Sequence, residues 1–578
     1  MNWVGGGRLA AIMLAASAAI PPAAAQAPTR EEIDRARPDP LAPQGPRLKV
    51  EGGALRSSCP LAEERFRDVN VTIDKVDFEG LRGLPIEALR PSYESFLGRP
   101  VPLSAICEIR DAAASIIRSR GYVAAVQVPP QRIDGGTVKL SVLMAKLVDI
   151  RVRGDARGAE RRIAAYLGAL KAQEVFNERD AERYLLLARD LPGYDVRLML
   201  RPADGAPGEV IGEVRVTRTP IDVDFSGQNF GSHAVGRWGG LLRAQFYGLT
   251  GLGDRTSIGL FSTAQTDEQQ VFQASHDFRL GHEGLTLGGR FTYAWTHPDV
   301  PNLEVTAHTL LASAEASYPF IRSQSANLRA AIGLDFVNQD VSANGAPNSR
   351  DHIRVAYLRA DGEGIDPDSV EGRGGYTLGE PRWRWAASIE LRRGLDILDA
   401  SKGCGGACGL GVIGPSRQDG DPTASVARLS GVIEYRPRPK LAFILAPRFQ
   451  YAERALLGFE EYSAGTYTVG RGYDAGTLTG DSGAGFQAEV RYGRLAPRSL
   501  TDLALQPFLF TDVARVWNKG AGSERLVSAG GGVRAAWGAR GRLDVSLAAP
   551  LSRVGINDKR PSPRLLISLS TKLWPWPN

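Results

Sequence analysis

Leu285-Thr286-Leu287-Gly288-Gly289-Arg290-Phe291-Thr292-Tyr293-Ala294-Trp295-Thr296 alternates with a period of two. Leu285, Leu287, Gly289, Phe291, Tyr293 and Trp295 share one face of an extended chain. Thr286, Gly288, Arg290, Thr292, Ala294 and Thr296 share the other. Such alternation is the pattern of a strand with two different environments. One face is aliphatic with aromatics near the strand end, as lipid contact and interface girdles require. The other carries charge, as a wet lumen would.

The pattern recurs. Leu328, Ala330, Ile332, Leu334 and Phe336 oppose Asn327, Arg329, Gly333 and Asp335. Trp383, Trp385, Ala387, Ile389 and Leu391 oppose Arg384, Ser388, Glu390 and Arg392. Strands are predicted over 221–229, 238–248, 255–264, 270–280, 285–296, 308–318, 327–337, 352–362, 382–394, 425–436, 441–453, 484–493, 503–517, 527–537, 541–549 and 563–574. That is about 16, an even number, as single-chain bacterial barrels require. Beyond the N-terminal leader, no apolar run reaches the ~18–20 residues of a membrane helix. A membrane form of this chain must therefore be a closed barrel, because an open sheet leaves backbone groups unpaired in lipid.

Residues 1–27 read as a secretory signal peptide. Arg8 precedes the apolar stretch 9–20, and Pro21-Pro22 leads into the small residues Ala23-Ala24-Ala25-Gln26-Ala27. Residues 28–68 read as a Pro-, Gly- and Arg-rich linker, with a short helix from a Thr29 cap to Arg37. Residues 69–147 follow a strand–helix–helix–strand–strand order, and 148–219 repeat it. In the first unit Leu84 to Leu97 suits one helix and Ser104 caps the next; in the second, Asn177 caps a helix whose Ala181, Tyr184, Leu185, Ala188 and Leu191 form an apolar face.

The chain has 578 residues, a net charge of +6 spread along its length, and four cysteines. No basic stripe marks a nucleic-acid partner. Four cysteines fit an oxidising compartment, and position suggests Cys59 with Cys107 and Cys404 with Cys408. Six scattered His without ligand spacing point away from a metal centre. Gly480-Asp481-Ser482-Gly483 resembles the serine loop of trypsin-like proteases, but the flank diverges after Gly483. The G-x-G-x-x-G spelling at 409–414 lacks a βαβ setting, so it reads as loop. No catalytic constellation and no cofactor is expected.

Between the predicted strands 441–453 and 484–493 runs a Gly-rich connection, 454–483, containing Val469-Gly470-Arg471-Gly472-Tyr473-Asp474. It is longer than the ~12–15 residues at which unstructured loops become functional or disordered. By parity Gln487, Glu489 and Arg491 face the lumen, as do Phe510 and Asp512 of Phe508-Leu509-Phe510-Thr511-Asp512-Val513-Ala514.

The two α/β units resemble POTRA domains, and Glu182–Tyr194, with its Leu191-Pro192-Gly193-Tyr194 ending, is similar to the second POTRA of two-partner secretion transporters, the haemolysin secretion/activation family. The resemblance extends to Arg471-Gly472-Tyr473 and to Asp512 within a Phe-x-Asp-x-Gly motif, where this chain has Ala514 for Gly. It implies α+β periplasmic POTRA domains followed by an all-β outer-membrane barrel, 220–578. It further implies that loop 454–483 folds inward, with Arg471 contacting Asp512 and Glu489 beside Phe510. The implied partners are a secreted exoprotein (adhesin, haemolysin or haem-acquisition type), outer-membrane lipid, and the barrel assembly machinery during biogenesis. The implied activity is export of that unfolded partner to the surface or medium. A barrel assembly and insertion factor is the alternative. Some members carry a long N-terminal helix in the pore; Thr29–Arg37 is short for one.

Overall fold

The computed structural model describes residues 28–33, 59, 61, 63–66, 68–405, 408–409, 411–555 and 559–575. The expected signal peptide, and most of the expected linker, lie outside the described residues.

Two small α/β units lead. The first has β1 (Asn70–Thr72), β2 (Lys75–Glu79), β3 (Pro100–Pro102), α2 (Ala105–Ser119), β4 (Ala124–Gln127) and β5 (Thr137–Met144), with α1 (Arg30–Ile33) far upstream. Its three-stranded sheet runs β2-β5-β4, with β2 and β5 parallel. The helix expected over Leu84–Leu97 is instead two 3₁₀ segments, Ile86–Ser92 and Glu94–Phe96. Pro91, inside the first segment, supplies no backbone donor and so disfavours a regular α-helix there; the two segments break at Tyr93. Ser104 precedes α2 but makes no side-chain cap. A Cys59–Cys107 disulfide ties the entering chain to α2.

The second unit has β6 (Lys146–Gly154), α3 (Glu160–Gly168), α4 (Glu178–Arg189), β7 (Tyr194–Pro202) and β8 (Glu209–Arg218), with sheet order β6-β8-β7. Asn177 caps α4 by accepting from the Arg179 amide. Ala181, Leu185 and Ala188 bury against Val196, Leu198, Val214 and Val216.

The barrel follows: β9 (Ile221–Gln228), β10 (Gly239–Tyr247), β11 (Arg255–Thr263), β12 (Gln269–Leu280), β13 (Leu285–Thr296), β14 (Asp299–Val300), β15 (Leu303–Arg322), β16 (Ala326–Ala343) and β17 (Ala346–Ile365). After the short helix α5 (Pro367–Val370) come β18 (Trp383–Gly394), β19 (Ser425–Arg438), β20 (Leu441–Ala452), β21 (Tyr462–Ala464), β22 (Leu478–Gly480) and β23 (Ser482–Tyr492). β24 (Leu503–Trp517), β25 (Ser523–Trp537), β26 (Gly541–Pro550) and β27 (Arg564–Trp574) complete it. β14 only extends a hairpin with β15, and β21 pairs with β22 inside the long loop. The remaining 16 strands form an antiparallel wall, closed where β27 pairs with β9.

β15, β16 and β17 are longer than expected from alternation. Their polar ends, such as Asn338-Gln339-Asp340 and Ser349-Arg350-Asp351, still pair across the ladder. They exceed the ~9–11 residues a bilayer needs, and beyond lipid a strand has no reason to stay apolar on its outer face. Outward residues are apolar and exposed, including Leu509, Ile332, Leu358 and Leu565. Cys404 and Cys408 form a disulfide in the β18–β19 connection, at the end away from the α/β units.

The second unit is docked on the barrel mouth. Arg322 at the β15 end donates two hydrogen bonds to Asp190, at 2.6 and 2.7 Å. The Gln324 amide donates to Glu182, Arg183 to the Phe320 carbonyl, and Tyr184 to Glu283 in the β12–β13 turn. Arg218 donates to the Tyr247 carbonyl. Tyr194 donates to the Arg157 carbonyl, and burial pushes its phenol pKa up. The Glu182–Tyr194 stretch thus divides its labour. Leucines fill the unit's core, while Glu182, Arg183, Tyr184 and Asp190 grip two successive barrel turns, β12–β13 and β15–β16.

Gly193 sits in the left-handed region at this joint. A Cβ there would come 2.5 Å from Tyr247 and 2.7 Å from the Thr219 carbonyl. Gly193→Ala should therefore strain the joint by about 1–3 kcal/mol. The expected outcome is faster tryptic cleavage after Arg218 than in the native protein; equal rates would show that the joint does not depend on this contact.

Candidate functional site in the barrel lumen

The long loop enters the barrel rather than leaving it. Its 3₁₀ turn Gly458–Glu460 and its hairpin β21–β22 give it structure that the Gly-rich sequence does not suggest. Tyr462, Val469, Tyr473 and Leu478 bury against Ala514, Val516 and Leu526 of the wall.

Arg471 meets both carboxylates assigned to the lumen. Its backbone amide and Nε donate to Asp512 Oδ2 at 2.8 and 3.0 Å, and Nη2 donates to Oδ1 at 2.6 Å. Nη1 donates to Glu489 Oε1 at 2.6 Å. The guanidinium carbon lies 3.6 Å from the centre of the Phe510 ring, within cation–π range. Ser528 donates to Asp512 at 3.2 Å. Glu489 is shared further: Arg491 Nε donates at 2.7 Å and Arg534 Nη1 at 2.9 Å.

Strand register explains the convergence. Glu489 on β23 stands opposite Phe510 on β24, and Gln487 opposite Asp512. Both carboxylates therefore point inward from neighbouring strands, where one planar fork can span them.

Gly472 lets the loop backbone touch the wall. A Cβ on it would come 2.8 Å from the Pro550 nitrogen and 2.9 Å from Ser528. Tyr473 is fully buried, and its hydroxyl meets the Val527 and Ser552 carbonyls at 2.9 Å. Ala514, the departure from Gly, is buried and faces Gly485 directly across the ladder. The glycine opposite provides the room that the extra methyl needs.

Several residues here escaped the sequence reading. Asp474 bonds Arg564 of β27 at 2.8 Å and approaches Arg237 and the His233 amide in the β9–β10 loop. The protease-like Asp481 is buried and takes Arg417 at 2.6 Å, while Ser482 accepts from the Ala452 amide. Both are fasteners at the root of the loop.

A second ionic cluster lies elsewhere on the inner wall. Arg392 of β18 bonds Asp335 of β16 and Glu460 of the loop, each at 2.9 Å, and Glu390 at 3.0 Å. Arg428 of β19 bonds Glu460 at 2.9 Å. Into this cluster reaches α1. Arg30 is 3.0 Å from Asp335 and 3.3 Å from Glu460, Glu31 pairs with Arg448, and Gln273 donates to the Ile33 carbonyl. Ile33 is buried among Leu241, Phe261 and Val271. The short segment expected as a helix within the linker, whose place in the pore the sequence leaves open, has Arg30–Ile33 in the lumen. Its fold to Arg37 lies outside the described residues. Among the described residues, no group of three or more His, Cys, Asp or Glu has a metal-binding arrangement.

An apolar-banded, closed barrel with two α/β units at one mouth is a POTRA-bearing outer-membrane barrel, its POTRA domains periplasmic. Comparison narrows this. Residues 71–144 match the POTRA domain, ShlB-type, and residues 375–535 match the haemolysin secretion/activation protein ShlB/FhaC/HecB. Over these two stretches the chain is similar to that haemolysin secretion/activation family. It is similar to the heme/hemopexin transporter protein HuxB of Haemophilus influenzae, 22% identical over 260 residues. That match covers 43% of this chain and 44% of the relative, less than half the length of the curated protein. In fold the chain is similar to CdiB from Escherichia coli, with a TM-score of 0.65, 14% identity, and coverage of 94% of this chain and 96% of that one. It is also similar to BamA from Haemophilus ducreyi lacking POTRA domains 1–3, with a TM-score of 0.54, 14% identity, and coverage of 87% and 100%.

Lysine cannot reproduce the fork of Arg471, being a point charge with no flat face to lay on Phe510. Arg471→Lys should leave Asp512 or Glu489 under-paired. Breaking a buried pair costs about 3–5 kcal/mol, so the urea midpoint of the detergent-solubilised barrel should fall clearly. An unchanged midpoint would remove this contact from the forces seating the loop.

Proposed function

We propose that this protein exports an unfolded secreted partner across the outer membrane. Residues 69–147 and 148–219 act as the POTRA domains that receive the partner in the periplasm, and 220–578 is the pore. An extended segment of the partner adds to a sheet edge, where backbone hydrogen bonds give affinity and side-chain pockets give selectivity. The observation that carries the reading is the docking of the second unit on the pore mouth, with a lumen filled by a loop and a short segment rather than by the wall itself. A filling that hangs on ion pairs can be displaced; a wall cannot. The named relative is a heme/hemopexin transporter, which supports an exoprotein of the haem-acquisition type as cargo. Arg471, Gly472 and Tyr473 serve as the loop anchor, with Asp512, Glu489 and Phe510 as its seat. Folding of the cargo outside supplies the direction of movement.

The test is genetic. Deleting the gene should remove one large exoprotein from the surface or medium and leave other outer-membrane barrels at their normal level. A broad fall in those barrels would favour an assembly factor and sink the export reading. In the same strain, Arg471→Ala should impair secretion while the barrel still assembles, seen as a heat-shifted band on a gel. Normal secretion by that variant would refute the anchor role.

A further inference from the structure

Arg30 sits in a site that the barrel and loop build without it. Asp335 Oδ1 is held by the Ser313 hydroxyl at 2.7 Å. Its other oxygen, Oδ2, takes both Arg30 and Arg392. Glu460 likewise takes Arg30, Arg392 and Arg428. With Glu390 included, three guanidinium groups face three carboxylates. The remaining neighbour, Arg359, lies 4.0 Å from Glu390 and is already held by Glu315 and Asp361. The cluster is neutral only while Arg30 is present. Without it, three carboxylates face two cations in a place where Asp335 and Arg392 are almost fully buried. An uncompensated buried charge is costly, so the vacated position attracts a replacement cation.

The way Arg30 is held says what that cation must be. Only its two terminal nitrogens bond carboxylates, while its buried Nε has no hydrogen-bond partner. The site reads the charged tip of a long side chain and not the whole fork. Arg30 also arrives on a segment that belongs to no wall strand. Gln273 and Gln339 hold its backbone through the Ile33 and Pro28 carbonyls, as they would hold any extended peptide.

We propose that Asp335 and Glu460 form a lumenal receptor for the lysine and arginine side chains of a polypeptide in transit, occupied at rest by the chain's own Arg30. This rests on the export reading, since a peptide must clear the N-terminal segment from the lumen to pass. The site then offers each basic residue a momentary partner midway through the pore. Glu460 lies on the same loop as Arg471, so an arriving cation also restores the charge balance that holds the loop.

Planar-bilayer recordings test this without any cargo. The full-length protein lacking only residues 28–33 is reconstituted, and the blocked peptide Thr-Arg-Glu-Glu-Ile is added alongside its citrulline counterpart. The arginine peptide should block current at concentrations at least about tenfold lower, the scale of a hydrogen bond to a charged group. A lysine peptide should block comparably. Asp335→Asn and Glu460→Gln should each erase the preference. Glu460 stands on the loop, so its variant keeps the test alive if Asp335→Asn fails to assemble. Equal block by the arginine and citrulline peptides, no block by either, or a preference that survives Glu460→Gln would overturn the proposal. A broad fall in other outer-membrane barrels on gene deletion, with the preference intact, would instead fault the export reading alone.

Discussion

A chain that crosses lipid as strands must close on itself, because no backbone amide or carbonyl can be left unpaired in hydrocarbon. Here the closing contact is β27 against β9. Everything else follows from that circle. Closure turns one face of every strand to lipid and the other to an enclosed space. Sixteen strands enclose more room than side chains from the wall alone can fill. The space is taken by a loop and by α1, and neither can join the ladder. They are held by charge instead.

Charge inside a barrel behaves differently from charge on a surface. Asp512 and Asp335 are essentially inaccessible, and Arg392 is 1% exposed. Exposed pairs contribute little, but a buried partner left alone is expensive. The lumen deals with this by sharing. Glu489 serves Arg471, Arg491 and Arg534, and Glu460 serves Arg30, Arg392 and Arg428. A shared carboxylate that loses one cation still keeps two. That arrangement lets an occupant leave while every carboxylate keeps at least one wall arginine, although the cluster as a whole is then short of one positive charge.

The fold was legible in the sequence wherever one physical rule acted on every residue. Lipid imposes alternation, so strands such as Leu285–Thr296 and Trp383–Gly394 could be read with near-final bounds. It imposes nothing past the bilayer, so the outer reaches of β15 to β17 were missed. Parity also put Glu489, Asp512, Asp335 and Arg392 on the inner face. It could not say which of them meet. Glu489 and Asp512 lie on adjacent strands, so their meeting with Arg471 was within reach of a motif and a register. Asp335 and Arg392 lie two strands apart yet bond directly, and Arg392 also takes Glu460 of the loop. Arg30 is joined to them from more than 300 residues away. No local pattern encodes contacts of that kind: the Thr29 cap announces a helix but not where it docks. Pro91, by contrast, is visible in the sequence and argues against a regular α-helix over Leu84–Leu97.

The loop's two ends carry opposite chemistry, and this settles its position. Near its start, Glu460 offers a carboxylate to arginines of β18 and β19. Near its tip, Arg471 offers a guanidinium to carboxylates of β23 and β24. Sliding or reversing the loop would set Glu460 against Glu489 and Asp512, or Arg471 against Arg392 and Arg428, and like charges at such distances repel strongly where water is scarce. A loop without a ladder to the wall has no backbone register to hold it. The polarity of its charges supplies one. α1 meets the loop at the Glu460 end and the Arg471 contacts lie at the other, so the two sets of ion pairs share no carboxylate.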